Sequence, residues 1–186
     1  MSDPTHDKYI ALARQLIATI PPGRRILKTD CWNEAEGFGE FISPEHWVTY
    51  CEIDIPRVEK ARLLHPTLDI VQGDIRNLPF DDATFSAIID LSTIDHMQDF
   101  RPAIAQYARV LVPGGRMLIV SWFTVIADHE PEERGIISDR QYWFNFYSFT
   151  SCLRESFNIE EIVYFPEHSG VRWLMGFICK KVQTTS

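Results

Sequence analysis

The sequence predicts an α/β protein: one doubly wound domain over residues 1–186, with a seven-stranded, mainly parallel sheet and a C-terminal antiparallel hairpin. Three observations predict this class. Strand-like and helix-like segments alternate along most of the chain. Two segments with period-two alternation then follow each other across a short connection at the C-terminal end. The length of 186 residues, with 45% hydrophobic and 24% charged residues, suits one ordinary globular domain.

The first elements are defined by helical spacing and by helix-breaking residues. Apolar residues recur every three or four positions over residues 7–19, which predicts an amphipathic helix that ends at Pro21–Gly23. A short first strand, Arg24–Lys28, follows this turn. We expect residues 29–46 to be irregular, with a short helix near Phe38–Ile42.

The middle of the chain supplies the next three strands. The second strand is predicted over Trp47–Glu52. The helix after it, Pro56–Leu64, has proline in its first turn, where a missing N–H costs little. The third and fourth strands are predicted over Leu68–Val71 and Phe85–Asp90, and the fourth is apolar enough to be buried on both faces.

The last third of the chain completes the predicted sheet. Asp99 is expected to cap a helix, after which a Pro-Gly-Gly turn leads into the fifth strand, Arg116–Trp122. Regular alternation then lapses until a helix that Thr150 is expected to cap. The strands Ile159–Phe165 and Val171–Lys181 have a short connection, which predicts that they pair as an antiparallel hairpin.

Charge and composition argue against several classes of function. The net charge of −8 disfavours a dedicated nucleic-acid binder, which needs a surplus of Lys and Arg. The longest apolar run, Met117–Ala127, is far shorter than the ~20 residues that cross a bilayer, and Met1–Lys8 does not resemble a signal peptide. The four cysteines lack CxxC spacing, so we expect no metal site and a reducing, cytoplasmic location. A charge run that includes His129, Glu130 and Glu133 suits a solvated surface better than a metal site.

One block of the sequence carries a family resemblance. Residues 73–122 read GDIRNLPFDDATFSAIIDLSTIDHM, then, after a gap, ARVLVPGGRMLIVSW, and residues 52–62 read EIDIPRVEKAR. Both segments resemble class I S-adenosylmethionine-dependent methyltransferases of the type 11 kind. The resemblance implies the Rossmann-like methyltransferase fold, S-adenosylmethionine as cofactor and methyl transfer to a small-molecule acceptor.

The resemblance also implies a cofactor site at the carboxyl ends of the strands, where open α/β sheets bind ligands. It assigns Glu52 to the ribose hydroxyls, although Asp54 could do this, or both could only cap the helix. It assigns Asp74 to the adenine amino group and the Ile75 N–H to a ring nitrogen; the alternative for Asp74 is a solvated turn. The remaining residues of the implied pocket are Ile53, Asp90 and Leu91.

The loop after the first strand departs from the family pattern. Relatives have a glycine-rich turn here that lets the backbone approach the cofactor. This chain has Lys28 where an acid is expected, and it has Asp30, Trp32 and Glu34 where glycines are expected. Its GxGxxG turn is missing as well, which disfavours a nicotinamide-dependent oxidoreductase.

Three interpretations of this loop stay open. In the first, Lys28 or Thr29 meets the cofactor carboxylate, and Asp30 or Glu34 meets its ammonium and sulfonium charges. In the second, Trp32 fills the pocket, and the protein is a catalytically inactive binding or regulatory partner. In the third, the loop binds another nucleotide-like ligand.

Polar residues just past the fourth strand are candidates for catalysis. His96 is the natural general base near neutral pH, with Asp95 as an alternative base or as the group that orients it. Helix-capping residues are the alternative explanation. Residues 124–149 are expected to form a lid on the acceptor side.

The aromatic segment 142–149 has several alternative roles. Its rings could stack on a flat acceptor, exclude water or form a homodimer patch. Core packing is the alternative, since Tyr142, Phe146, Phe149 and Leu153 have helical spacing. We expect one buried stripe, with Trp143 and Tyr147 nearer the pocket.

Overall fold

The computed structural model describes residues 4–37, 45–126, 132–134, 141–169 and 171–183. The helix predicted near Phe38–Ile42 lies outside these residues, as do His129, Glu130 and much of the predicted lid.

The other predicted helices and strands occur in the predicted order, and the described residues add four short elements: two helices and two strands. The described elements are α1 (Pro4–Ala18), β1 (Arg25–Lys28), α2 (Trp32–Ala35), β2 (Trp47–Glu52), α3 (Ile55–Leu64), β3 (Asp69–Gln72), β4 (Phe85–Leu91), a 3₁₀ helix (Ile94–His96), α4 (Arg101–Val110), β5 (Leu111–Thr124), β6 (Glu132–Arg134), β7 (Gln141–Asn145), α5 (Phe146–Ser156), β8 (Phe157–Ser169) and β9 (Arg172–Lys181).

The sheet has the predicted doubly wound topology. Its parallel part runs in the order β3-β2-β1-β4-β5, so the strand order reverses between β1 and β4. On the far side of β5, β9 pairs antiparallel with it from Arg116↔Lys180 to Thr124↔Arg172, and β8 pairs antiparallel with β9. The α/β class with a mainly parallel sheet and a C-terminal antiparallel pair is therefore confirmed.

Two short strands, β6 and β7, add to the seven that the sequence predicts. β7 continues the sheet at the end of β5, with Phe123 beside Phe144 and Thr124 beside Asn145. β6 pairs antiparallel with β7. The predicted helical stripe from Tyr142 is wrong at its start, because Tyr142 and Phe144 are buried on alternate positions of a strand.

The caps of two helices also differ from the prediction. Helix α5 is capped by Asn145, whose Oδ1 accepts hydrogen bonds from the N–H groups of Tyr147 and Ser148, each at 3.0 Å. Thr150 is not the cap; it lies buried inside the helix. Asp99 lies one residue before the cap position of α4, where its carboxylate accepts a hydrogen bond from the N–H of Arg101 at 3.1 Å.

Apolar side chains fill both faces of the sheet. One buried cluster lies under α4 and α5 and includes Leu27 of β1; the other lies under α1 and α3 and includes Ile26. Side chains of a strand alternate between faces, so Lys28 follows Ile26 toward the α1 and α3 side. The longest described helix has 15 residues, and no described helix is long and apolar enough to span a bilayer.

Candidate functional site

The carboxyl ends of β1 and β4 meet where the strand order reverses. The Thr29 hydroxyl donates to the Thr93 hydroxyl at 3.0 Å, and Thr93 donates to Asp30 Oδ2 at 3.0 Å. Ligands of open α/β sheets bind at such a reversal, outside the carboxyl ends of the strands. The structure thus brings together Thr29 and Asp30, which the sequence predicts for the site, with Thr93 of the next loop.

A buried charge network holds the glycine-poor loop after β1. The Lys28 ammonium, 1% exposed, lies 2.8 Å from Asp30 Oδ1 and 3.3 Å from Glu34 Oε2. Burial opposes the charged form of Lys28, but the charges of Asp30 and Glu34 outweigh it and raise the pKa of Lys28. Side-chain ion pairs therefore fix the path of a loop that glycines shape in relatives. Contact between Lys28 and the cofactor stays a prediction.

Glu34 lies at the centre of this network. Its side chain is fully buried, and its Oε1 has no hydrogen-bond partner among the described residues. Burial raises the pKa of Glu34 to about 7; the charge of Asp30 adds to this and Lys28 opposes it. Trp32, in contrast, is 43% exposed. The hypothesis that Trp32 fills the pocket therefore has no support in the structure.

Glu52 joins the end of β2 to the loop after β1. Its Oε1 accepts from the Asp54 N–H at 2.9 Å and its Oε2 from the Cys31 N–H at 3.3 Å. Asp54 instead caps α3 by accepting from the Arg57 N–H at 2.9 Å. The two acids thus make different contacts, Asp54 as a helix cap and Glu52 as a link to the loop after β1, and the assignment of Glu52 to the ribose stays a prediction. Ile53 between them is 56% exposed.

Asp74, after β3, is held by its neighbour Arg76. Arg76 donates hydrogen bonds to the Asp74 carboxylate, with its Nη2 at 2.6 Å from Oδ2. These bonds lower the pKa of Asp74 below its ordinary value. Both side chains are partly exposed, and an exposed ion pair contributes little to stability. An adenine amino group can therefore compete for this carboxylate. Ile75 is buried, and its side chain packs in the core.

Asp90 stabilises the turn after β4 from inside the protein. Its carboxylate accepts from the Tyr107 hydroxyl at 2.6 Å and from the N–H groups of Thr93 and Ile94 at 2.9 and 3.2 Å. Burial raises its pKa to about 6. All these partners are internal, so Asp90 positions Thr93 rather than presenting a free carboxylate. Leu91 is half-buried beside it. Tyr107 was not among the residues predicted from the sequence. Its hydroxyl on the inner face of α4 was the signal that could have identified it.

The two predicted catalytic residues lie together in the 3₁₀ helix after β4. Asp95 is buried, and its Oδ2 accepts from the Ser92 hydroxyl at 3.1 Å. The His96 Nε2 lies 3.9 Å from Asp95 Oδ1, and a third of the His96 side chain is exposed. This helix packs against β7, which belongs to the predicted lid segment.

The aromatic segment divides into buried and exposed rings. Tyr142, Phe144 and Phe149 are buried. Trp143 is half-buried, with the Arg172 guanidinium 3.7 Å from the centre of its ring. Tyr147 is 55% exposed, so it is the ring available for a homodimer, which stays a prediction. In the ranges that the structure describes, no three His, Cys, Asp or Glu residues are placed to hold a metal.

Comparisons with known proteins find similarity to methyltransferases. The family described as "Methyltransferase domain" matches residues 38–119. A phthiotriol/phenolphthiotriol dimycocerosates methyltransferase of Mycobacterium tuberculosis is 32% identical over half of this chain and 36% of its own length. A probable tRNA methyltransferase 9B of Bos taurus is 34% identical over 59% of this chain and 24% of its own length. The chain thus spans about a third or less of these relatives.

The structure comparison covers almost the whole chain. The 1,6-didemethyltoxoflavin-N1-methyltransferase of Burkholderia thailandensis, solved with S-adenosylhomocysteine, superposes with a TM-score of 0.73 over 98% of this chain and 80% of its own. At 14% identity this likeness shows the fold. The match over residues 38–119 covers 82 of the 186 residues, so the comparisons show a methyltransferase-like fold and, over this part of the chain, similarity to the methyltransferase domain family.

Proposed function

We propose that the protein is an S-adenosylmethionine-dependent methyltransferase that acts on a small-molecule acceptor. The observation that carries this proposal is the position of Glu52. Its carboxylate lies at the end of β2, bonded to the loop after β1, beside the reversal of strand order. It also falls within the residues that match the methyltransferase family.

The residues present fit the cofactor. A carboxylate has about four lone-pair sites, and two backbone N–H groups use part of those of Glu52, so ribose hydroxyls can be accepted as well. Asp74 and the Ile75 N–H are the proposed partners of adenine, and Ile53 and Leu91 its apolar neighbours. Asp30 and Glu34 supply negative charge for the cationic part of the ligand, and Lys28 and Thr29 are the proposed partners of its carboxylate.

The bound cofactor would supply an electrophilic methyl group on a sulfonium. The protein's task is then to align the acceptor and, for a protonated acceptor, to remove a proton. His96 is the proposed base, since it is partly exposed in the 3₁₀ helix that packs against β7, and buried Asp95 is the proposed orienting group.

A small-molecule acceptor is supported by charge. One relative is named as a tRNA methyltransferase, but this chain matches only 24% of it. A net charge of −8 provides no surplus of Lys and Arg for phosphates. Residues 124–149 remain the proposed acceptor-side lid.

Calorimetric titration with S-adenosylmethionine tests the cofactor assignment. We expect the parent protein to bind it with one-to-one stoichiometry and Glu52→Gln to bind it at least about tenfold more weakly, as for a lost hydrogen bond to a charged group. Glu59→Gln, on the exposed face of the adjacent α3, is the matched control. No binding to the parent at millimolar cofactor, or equal affinities for the two variants, would contradict the assignment.

Transfer of a labelled methyl group tests the acceptor class. The protein is incubated with S-adenosylmethionine labelled in its methyl group and with separated fractions of a cell extract. We expect label in the low-mass fraction. Label confined to the RNA or protein fraction would contradict a small-molecule acceptor.

A further inference from the structure

The loop after β1 contains one buried cation and two carboxylates. The Lys28 ammonium donates to Asp30 Oδ1 at 2.8 Å and to Glu34 Oε2 at 3.3 Å. Among the described residues it is the one cation within ion-pair distance of Glu34. The nearby Lys60 of α3 pairs with Glu36 at 2.8 Å. One positive charge therefore faces two acids, and this part of the protein has a surplus carboxylate.

Hydrogen bonds decide which carboxylate is the surplus one. Asp30 accepts from Lys28 and from the Trp32 N–H, each at 2.8 Å, and from the Thr93 hydroxyl at 3.0 Å. Burial works against ionisation of Asp30, but Lys28 and these donors outweigh it, so the pKa of Asp30 is lowered. Glu34 has the longer contact with Lys28, and its Oε1 has no partner among the described residues. Glu34 is the surplus acid.

Within the part of the chain that the structure describes, Lys28 is the one positive charge paired with Glu34. Lys28 and Asp30 face it from the end of β1, and Tyr50 faces it from β2. Cys31 lies on the same loop; burial raises the pKa of its thiol to about 12, so it stays neutral. The Tyr50 hydroxyl is also buried without a hydrogen-bond partner in the described part of the chain. An unpartnered carboxylate oxygen in such surroundings strongly favours a proton or a cationic ligand group.

We propose that Glu34 holds a cationic group of the bound cofactor and gives up a proton when it does so. This inference rests on the proposed function. In the free protein the neutral acid needs no further counter-charge. An ammonium or sulfonium that enters the site supplies one, the O–H bond of Glu34 breaks, and its proton passes to the buffer. The carboxylate that remains pairs with the ligand. Burial, which raises the pKa of Glu34 to about 7, puts this ionisation near neutral pH.

Proton release can be measured on the parent protein without any variant. S-adenosylmethionine is titrated calorimetrically at pH 7 in phosphate and in Tris, whose ionisation enthalpies differ. We expect release of about half a proton per bound cofactor at pH 7 and almost none at pH 9, where Glu34 is already ionised. Binding heats that do not depend on the buffer at pH 7 would overturn the proposal.

A pair of variants assigns the proton and the cation. Glu34→Gln is compared with Glu36→Gln, an exposed acid two residues away. Three probes are used: S-adenosylmethionine, S-adenosylhomocysteine, which lacks the sulfonium charge, and 5′-methylthioadenosine, which lacks both cationic groups. We expect Glu34→Gln to abolish proton release and to weaken the binding of S-adenosylmethionine by about tenfold or more, which is the scale of a hydrogen bond to a charged group. The affinity for 5′-methylthioadenosine should not change.

The probes also separate the outcomes. If S-adenosylhomocysteine loses as much affinity for Glu34→Gln as S-adenosylmethionine does, the ammonium is the partner of Glu34. If only S-adenosylmethionine loses affinity, the sulfonium is the partner. Either result supports the proposal. Equal weakening of all three probes, or unchanged proton release, overturns it. If the parent binds none of them, the proposed function itself fails. Thermal unfolding of both ligand-free variants is the control that checks whether they are folded.

Discussion

At the residue scale, two buried carboxylates make the stability of the fold depend on pH. Burial raises the pKa of Glu34 from 4.5 to about 7 and that of Asp90 from 3.8 to about 6. The folded protein therefore holds these protons more tightly than the unfolded chain does. The stability that each group contributes is complete below its unfolded pKa and is lost as the pH rises through its folded pKa.

Substitution of Glu34 tests this dependence. Glutamine cannot ionise, so Glu34→Gln should become more stable relative to the parent between pH 4.5 and 8, by about 3 kcal/mol in free energy of unfolding. Urea unfolding at several pH values measures the difference. The control Glu36→Gln should follow the parent. Parallel curves for the parent and Glu34→Gln would show that Glu34 has an ordinary pKa.

The hydroxyl of Tyr107 gives a second prediction at this scale. Tyr107→Phe removes the 2.6 Å hydrogen bond to Asp90 and leaves the buried Asp90 Oδ2 without this donor. We expect a loss of about 1–3 kcal/mol in free energy of unfolding. Tyr147→Phe, on an exposed ring, should change it little. A loss of equal size for both variants would contradict an anchoring role for Tyr107.

The positions of the candidate site residues in the fold could be predicted from the sequence better than their partners. Glu52 and Asp74 follow strands in a recognisable phrase, so their place at the sheet edge could be predicted. The bond from the Cys31 N–H to Glu52 could not, because every residue carries a backbone N–H. The pairing of Lys28 with Glu34 depends on the path of the loop, and no periodic pattern of side chains reveals that path.

At the element scale, the transition from β7 to α5 depends on one cap. Asn145 accepts from two N–H groups of α5 and donates to the Ile126 carbonyl at 2.8 Å. Asn145→Ala should therefore cost about 1–2 kcal/mol in free energy of unfolding. Thermal or urea unfolding measures it, with Ser151→Ala on the exposed face of α5 as the control. No difference between these two variants would contradict the capping role.

The same region shows where periodicity is too weak a guide. Tyr142, Phe146, Phe149 and Leu153 fit helical spacing, but the chain changes from strand to helix between the first two. A strand of five residues offers only two or three alternations, which is too few to oppose a longer helical pattern. The bounds of β1 to β4 and of α3 were predicted to within one residue, whereas β5 begins five residues before its predicted start and β8 ends four residues after its predicted end.

At the scale of the whole molecule, the order of the strands creates the site. The chain winds outward from β1 to β3 and returns at β4 on the other side of β1, so the loops after β1 and β4 lie together where the strand order reverses. Acidic side chains at or just after the ends of β1, β2 and β4 lie near this reversal, and the antiparallel pair β8 and β9 completes the sheet on the other side. This arrangement suits a cationic, adenosine-containing ligand.

A crystal structure of the protein grown with S-adenosylhomocysteine would locate the ligand in the fold. We expect electron density for the ligand at the carboxyl ends of β1, β2 and β4, with both ribose hydroxyls within hydrogen-bond distance of Glu52 and the amino acid part beside the loop of Asp30 and Glu34. Ligand density at another place, or none at saturating ligand, would contradict the proposed site.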